Sequence, residues 1–175
     1  GKASMPVVFV MEMTGQTPGF AGQHSDYEID SYYAHIPGVK TVIPSTPYDA
    51  KGMMVSALKD PNPIVYLYPA GLRELIDEVP DEQYEVPLDK AIVRMEGSDL
   101  TIVGSGASMP EVMKAAETLK SEGMSVEAID LRSLKPMDTE TLVKSVQKTK
   151  RLLTVDQTYY TLCPGAEVIA RVAEN

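Results

Sequence analysis

The sequence is poor in the residues that build disulfide frameworks, zinc sites and aromatic cores. Its 175 residues include one cysteine, two histidines, two phenylalanines and no tryptophan. A single cysteine, Cys163, excludes an intrachain disulfide. One cysteine with two histidines, His24 and His35, is also too few for the usual Cys/His zinc site. The disulfide-rich and zinc-stabilised classes of small domain are therefore excluded.

Long apolar runs and positive charge are scarce as well. No apolar run approaches the roughly 18 residues that a membrane-spanning helix needs, so we expect no membrane partner. Lysine and arginine number 16 against 25 aspartates and glutamates, which gives a formal net charge of −9. Because an acidic surface repels phosphate backbones, we expect no nucleic-acid partner either.

What the sequence does contain is the pattern of an α/β fold. Short β-branched runs alternate with amphipathic helical segments, which predicts mostly parallel sheets flanked by helices. One helix start is clear: Thr46 can cap, Pro47 suits the first turn and Asp49 suits the positive helix end. The acidic stretch 71–88, with Pro80 and Pro87, is interpreted as an exposed linker between two units, 1–70 and 89–175.

Two short features could carry chemistry. The Gly104-x-Gly106 turn follows a predicted strand and is either a phosphate cradle or an ordinary tight turn. Met109 stands where a dinucleotide fingerprint needs glycine, which favours the tight turn. His24 ends a glycine-rich loop, where an imidazole could move protons near neutral pH, although a capping or surface histidine is the alternative. For His35 we expect a structural role.

Several longer strings resemble one family. They are GQHSDYEIDSYYAHIPGVKTVIPSTPYDAKGMMVSALKDPNPIVYL (22–67), VPLDKA (86–91), EAIDLRSLKPMDTETLVKSVQKTKRLLTVDQ (127–157) and GAEVIARV (165–172). Together they resemble the beta subunit of the thiamine-diphosphate-dependent dehydrogenase component of 2-oxo acid dehydrogenase complexes, of the pyruvate, branched-chain and acetoin types. The resemblance implies that residues 1–70 are the later part of a transketolase-like pyrimidine-binding domain. It also implies that 89–175 are a truncated transketolase C-terminal domain.

The resemblance also implies an activity, cofactors and partners. The enzyme would decarboxylate a 2-oxo acid and pass the acyl group to lipoyl, with thiamine diphosphate shared between this chain and an alpha subunit in a heterotetramer. The alpha subunit would hold the magnesium, and the activating glutamate is expected upstream of Gly1. Further implied partners are a second beta subunit and the lipoyl acyltransferase core, both contacted through the C-terminal domain. The chain by itself is expected to be inactive.

Site residues follow by position from the same resemblance. His24 matches the active-site histidine that assists acyl transfer, although Asp26 stands where glutamine is usual and would favour the imidazolium form. The end of the helix before Pro61 matches a potassium site, and a capped helix end without metal is the alternative. The oxygens would come from Val7, Ala57, Leu58, Asp60 and Asn62.

Two other functions and the compartment stay open at this point. The chain could be a non-catalytic α/β module that keeps only subunit-pairing surfaces. It could also belong to another transketolase-type enzyme, such as a sugar-phosphate synthase, but the basic residues that sugar phosphates need are few near His24. The N-terminus shows no signal-peptide pattern. We expect the cytoplasm of a bacterium or archaeon, with the mitochondrial matrix or a plastid as alternatives.

Overall fold

The computed structural model describes residues 4–13 and 29–175. In chain order the elements are β1 (Val8–Met13), α1 (Ile29–Ala34), β2 (Lys40–Val42), α2 (Pro47–Lys59), β3 (Ile64–Pro69), β4 (Ile92–Met95), β5 (Leu100–Gly104), α3 (Met109–Ser121), β6 (Val126–Asp130), β7 (Ser133–Lys135), α4 (Thr139–Thr149), β8 (Leu152–Thr154) and α5 (Pro164–Ala173). Within those ranges no helix has both the length and the apolar character that a bilayer crossing requires.

The strands form two four-stranded sheets that are mostly parallel, as predicted. The first has the order β1-β3-β2-β7, in which β1 and β2 run parallel to β3 while β7 runs antiparallel to β2. The second has the order β4-β6-β5-β8, in which β5 runs parallel to β6 and β8 and only β4 is antiparallel. The expected α/β fold with helices on parallel sheets is confirmed.

Helix α2 begins where the sequence predicts it and packs on the first sheet. Thr46 is the N-cap, and its hydroxyl accepts a hydrogen bond of 3.1 Å from the Asp49 backbone N–H. This bond satisfies one of the N–H groups that a helix start leaves unpaired. Met53 and Ala57 fall on one face of the helix and are buried in a core cluster with Ile64 of β3.

The largest hydrophobic cluster crosses the boundary between the two predicted units. Its buried members are Ile43, Val65, Leu67, Val103, Ile129, Leu131, Leu134, Leu142 and Val168. Strand β7 crosses the same boundary, since its residues follow β6 along the chain but pair with Thr41 and Val42 in the first sheet. The two units therefore share both a core and a sheet.

The connection 71–88 is exposed in its first part and packed in its second. Residues 73–78 are all exposed. Val86 and Leu88, in contrast, are 3% and 7% exposed and join the core beneath α2. The Tyr84 ring stacks on Tyr48 with centroids 4.5 Å apart. The expectation of an exposed connection is thus wrong for its second part, because alternate apolar side chains there cover α2. The limits placed at residues 70 and 89 stay a prediction.

Candidate functional site

The carboxyl ends of strands from both sheets meet at one packed turn. Gly106 follows β5 with a φ of +50°, in the left-handed region. A Cβ at this position would collide with the Ile43 side chain and lie 3.2 Å from Pro69. Ile43 directly follows β2 and Pro69 ends β3, so the space beside the turn is filled by residues at the edge of the first sheet. The phosphate-cradle interpretation of Gly104-x-Gly106 is wrong, and the turn is an ordinary, closely packed one.

A buried network of charges joins the two units beside this turn. Asp49 at the start of α2 is bonded by Arg94 of β4, and the Arg132 Nη1 lies 3.1 Å from the Asp49 Oδ1. The Arg94 Nη2 lies 2.7 Å from the Asp130 Oδ2 at the end of β6. The Ser45 hydroxyl, between β2 and α2, donates to the same Asp130 oxygen. Every member of this network thus bonds a residue of the other unit.

The network is charge-balanced and holds an unusual backbone. Asp49 and Asp130 are 1% and 0% exposed, and two guanidinium groups neutralise them. Burial disfavours the charged Arg94, but the Asp130 and Asp49 carboxylates outweigh it and raise the pKa of Arg94. Arg132 has a φ of +56°, and its carbonyl accepts a 2.7 Å hydrogen bond from the Ile43 N–H. The left-handed turn at Arg132 is what directs β7 into the first sheet.

The charge network and the packed turn at Gly106 do not form an anion-binding pocket. Within residues 4–13 and 29–175, Arg94 and Arg132 already bond the buried carboxylates, and Arg73 bonds Glu12 of β1. None of these cations is left to neutralise a phosphate at this edge. The same ranges hold no group of three or more His, Cys, Asp or Glu side chains that could bind a metal ion.

His24 lies outside the described residues. His35, the other histidine, is exposed just after α1, and its backbone N–H donates a 3.2 Å hydrogen bond to the Ser31 carbonyl. Because this bond is made by the backbone, the structural role expected for the His35 side chain stays a prediction. Asp30, in the first turn of α1, is the described residue with an ionisable side chain that lies nearest to His24 along the chain.

Four of the five residues expected to bind potassium lie at or just after the C-terminal end of α2, and the fifth, Val7, precedes β1. Asp60 is the C-cap, and its N–H donates a 3.3 Å hydrogen bond to the Ala57 carbonyl. The Asp60 Oδ1 accepts two hydrogen bonds from Asn62, of 2.9 and 2.8 Å, and its other oxygen bonds the Lys40 ammonium. The Val7 carbonyl accepts a 2.9 Å hydrogen bond from the Ile64 N–H. Leu58 is 68% exposed.

Asp30 is a buried carboxyl group whose pKa is influenced by the charge of a second one, Asp156. It is 6% exposed. Burial raises its pKa to about 6 although the Ser31 N–H donates to it, and the charge of Asp156 in the second unit raises it further. Burial also raises the pKa of Asp156. Desolvation of a carboxylate favours its neutral form, so Asp30 is protonated more readily in the folded chain than in the unfolded one.

The raised pKa of Asp30 predicts a stability that falls as pH rises. The folded state binds the Asp30 proton more tightly than the unfolded state does. The contribution of this proton to the free energy of unfolding is therefore complete below about pH 4 and is lost as the pH rises through about 6. A shift of this size corresponds to about 3 kcal/mol. Urea unfolding at pH 4.5 and 7.5 should show Asp30→Asn gaining stability over the wild type by up to that amount at the higher pH.

The matched control is Asp81→Asn, because Asp81 is an exposed carboxylate of the connection. It should leave the pH dependence of wild-type stability unchanged. Equal pH profiles for Asp30→Asn and the wild type would show that Asp30 has an ordinary pKa.

Sequence reasoning missed the charge network. Asp49 alone suggests only a favourable charge at a helix start, and the three other charged members, Arg94, Asp130 and Arg132, are far from it along the chain. The signal that was present is the string Asp130-Leu131-Arg132, which places opposite charges at the end of a buried strand. Such residues are almost never buried unless paired, so a partner charge in another element could have been inferred.

Comparison with known families assigns both units. Residues 1–73 match "Transketolase, pyrimidine binding domain", and residues 89–175 match "Transketolase, C-terminal domain". The chain therefore belongs to the transketolase-like proteins that join these two domains. Solved structures show the same fold. A structure described as "Split gene transketolase, inactive beta4 tetramer" superposes with a TM-score of 0.80 at 22% identity, over 96% of this chain and 53% of that one.

The relatives compared in sequence share one name. The "Pyruvate dehydrogenase E1 component subunit beta" of Acholeplasma laidlawii is 40% identical over 176 residues, which cover 100% of this chain and 53% of the relative. Proteins of the same name from Staphylococcus epidermidis and Staphylococcus aureus are 42% and 44% identical, over 93% and 87% of this chain and 52% and 47% of theirs. The resemblance to these beta subunits is confirmed. The chain spans about half the length of these relatives.

Proposed function

We propose that this chain is the beta-subunit portion of a thiamine-diphosphate-dependent 2-oxo acid dehydrogenase, in which it works with an alpha subunit. The observation that carries the proposal is the 40–44% identity to pyruvate dehydrogenase beta subunits over 87–100% of this chain. The name of these relatives supports a 2-oxo acid of the pyruvate class as the substrate. Acyl transfer to lipoyl, a heterotetramer, docking on an acyltransferase core and a place in the bacterial or archaeal cytoplasm belong to the same proposal.

Thiamine diphosphate would supply the carbanion chemistry of the decarboxylation. The described residues of this chain do not fit its diphosphate, because the arginines at the meeting edge of the sheets are bonded to carboxylates. The charges of this network already balance, so it offers no net attraction for a further anion. The proposal therefore assigns the diphosphate and its magnesium to the alpha subunit. This chain's part is to hold the opposite wall of the site rigid through the charge network.

His24 is proposed as the residue that moves a proton during acyl transfer. Opening of the lipoyl disulfide leaves a sulfur that must gain a proton, and an imidazole supplies one near neutral pH. The support is the match of the string Gln23-His24-Ser25 to the family. Asp26 beside it would favour the protonated, donating form of the imidazole.

A potassium ion at the end of α2 is also proposed. Potassium takes oxygen donors, and unpaired carbonyls at a helix end supply them. The support is that Asp60 and Asn62 bond each other in the turn after α2, where the Asp60 N–H bonds the Ala57 carbonyl, and that Ile64, two residues further on, bonds the Val7 carbonyl. The Lys40 ammonium, already bonded to Asp60, would compete with the ion for that carboxylate.

Reconstitution with an alpha subunit tests the proposed activity. The beta subunit is produced together with the segment upstream of Gly1, where the activating glutamate is expected. It is mixed with the alpha subunit of a Staphylococcus relative, thiamine diphosphate and magnesium, and assembly is followed by sedimentation. Release of labelled carbon dioxide from pyruvate and acylation of a lipoyl domain are then measured. We expect His24→Ala to lower lipoyl acylation by about 100-fold or more, a usual size for losing a proton-transferring side chain.

His35→Ala is the matched control, because it removes the other histidine from an exposed position. It should leave both rates unchanged. Assembly with the alpha subunit but without carbon dioxide release from any 2-oxo acid would favour the non-catalytic pairing module. Turnover of sugar phosphates instead would favour another transketolase-type enzyme.

A further inference from the structure

We propose that the Lys40 ammonium and a potassium ion compete for the Asp60 carboxylate, so that Lys40 sets how tightly the end of α2 binds potassium. Asp60 is the C-cap of α2, and its Oδ2 accepts a hydrogen bond from the Lys40 Nζ. A monovalent cation of the chain itself therefore already contacts this carboxylate. The proposal rests on the potassium ion proposed above, and it does not depend on the activity of the enzyme.

The backbone holds Lys40 beside the end of α2. Lys40 is the first residue of β2 and pairs with Ile64, the first residue of β3. Its backbone N–H donates a 3.0 Å hydrogen bond to the carbonyl of Pro63, in the turn that joins α2 to β3. The pairing of β2 with β3 therefore keeps the start of the lysine side chain close to the Asp60 carboxylate.

Asp60 is an ionised carboxylate that is fixed in place. Its Oδ1 accepts hydrogen bonds of 2.9 and 2.8 Å from the backbone and the side chain of Asn62, while Oδ2 bonds the ammonium. Burial disfavours the charged form, but the hydrogen bonds from Lys40 and Asn62 outweigh it and lower the pKa of Asp60. The Asp60 side chain is 12% exposed, so water screens its charge only in part. The Asp60 carboxylate therefore favours a cation beside it.

The end of the helix offers a cation further oxygens. In a longer helix the Asn62 N–H would bond the Leu58 carbonyl, but here it donates to the Asp60 Oδ1. The Leu58 carbonyl is thus without the partner that a longer helix would give it, and the negative end of the helix dipole adds to the attraction for a cation. A free ion can approach several such oxygens at once, whereas the Lys40 ammonium reaches only as far as its side chain allows.

Removal of the Lys40 charge should therefore strengthen potassium binding. Two cations that contact one carboxylate repel each other, and a partly buried position weakens the screening of that repulsion. Potassium must either displace the ammonium from the Asp60 Oδ2 or bind in spite of its charge. Both routes weaken the binding of potassium to the wild type.

Thermal unfolding in potassium chloride tests this role of Lys40. The beta subunit, produced with its upstream segment as above, is melted over a potassium series in which tetramethylammonium chloride keeps the ionic strength constant. A ligand that binds only the folded state raises the melting temperature as its concentration passes its dissociation constant. Lys40→Met keeps the apolar stem of the side chain and should lower the apparent dissociation constant for potassium by about tenfold or more. Lys40→Arg keeps the charge and should resemble the wild type.

Lys59→Met is the matched control. Lys59 precedes Asp60 along the chain, but its ammonium bonds Glu85 and its side chain is 53% exposed. This variant loses the same charge at a position that water screens, so it should change the dissociation constant by less than about threefold. In the Lys40→Met background, Asp60→Asn should abolish the response to potassium. Circular dichroism verifies folding, and Lys40→Gln replaces Lys40→Met if the latter unfolds.

The possible failures are distinguishable. Equal or weaker potassium binding in Lys40→Met than in the wild type, or an equal gain in Lys59→Met, overturns the role of Lys40 and leaves the potassium ion in place. A potassium response that survives Asp60→Asn puts the ion elsewhere and also overturns the proposal. If potassium raises the melting temperature of neither the wild type nor Lys40→Met, the proposed potassium ion and the role of Lys40 are both wrong.

Discussion

Gly106→Ala should lower the free energy of unfolding by about 2–4 kcal/mol, from left-handed backbone strain and overpacking together. The added Cβ would collide with Ile43 and lie 3.2 Å from Pro69, at a φ of +50°. Because Ile43 belongs to the cluster shared by both units, the clash would push the two sheets apart. Urea unfolding followed by circular dichroism measures the loss.

Gly123→Ala separates the two causes. Gly123 has a φ of +89°, and a Cβ there would meet nothing within 4 Å. It should therefore cost only the backbone term, about 1 kcal/mol. Equal losses in the two variants would mean that the packing of Gly106 between the sheets adds nothing to stability.

Arg132→Ala should cost about 3–5 kcal/mol, the usual result of removing one partner from a buried ion pair. Asp49 would lose one of its two guanidinium partners, and the Lys90 carbonyl would lose the 3.0 Å hydrogen bond from the Arg132 Nε. Arg132→Gly should cost about 1 kcal/mol less, because glycine adopts the left-handed backbone without strain. Chemical unfolding of the two variants compares the side chain with the backbone.

The control for the backbone part is Lys150→Gly. Lys150 ends α4 with a φ of +60° and is exposed. Glycine is preferred at such a helix end, so this variant should gain up to about 1 kcal/mol. If Arg132→Gly and Arg132→Ala are equally unstable while Lys150→Gly is stabilised, the backbone at Arg132 is held by its surroundings and carries no strain of its own.

Local sequence signals predict the parallel part of the fold well. The cap at Thr46, the apolar face of α2 and the strand Ile64–Pro69 each follow from neighbouring residues. The antiparallel strands β4 and β7 were missed. β7 is three residues long, and its partner lies in the other unit. No local pattern distinguishes such a segment from a loop, because the pairing that defines it is made with distant residues.

The candidate site was predictable only in part, for the same reason. The family strings pointed to His24 and to the end of α2, both of which can be located along the chain. The network of Asp49, Arg94, Asp130 and Arg132 depends on three elements meeting in space. The glycine pattern at Gly104-x-Gly106 is ambiguous in sequence, since a phosphate and the Ile43 side chain impose the same demand for a residue without a Cβ.

Strand β7 has a consequence for how the chain folds during synthesis. The edge of β2 cannot be closed until the ribosome has released Ser133–Lys135, long after β1, β2 and β3 have emerged. Pairings between residues so far apart in sequence form slowly, because a large loop must be closed first. The edge of β2 thus stays without its β7 partner until all the residues between these two strands have been synthesised, and β7 then completes a sheet whose other strands were made much earlier.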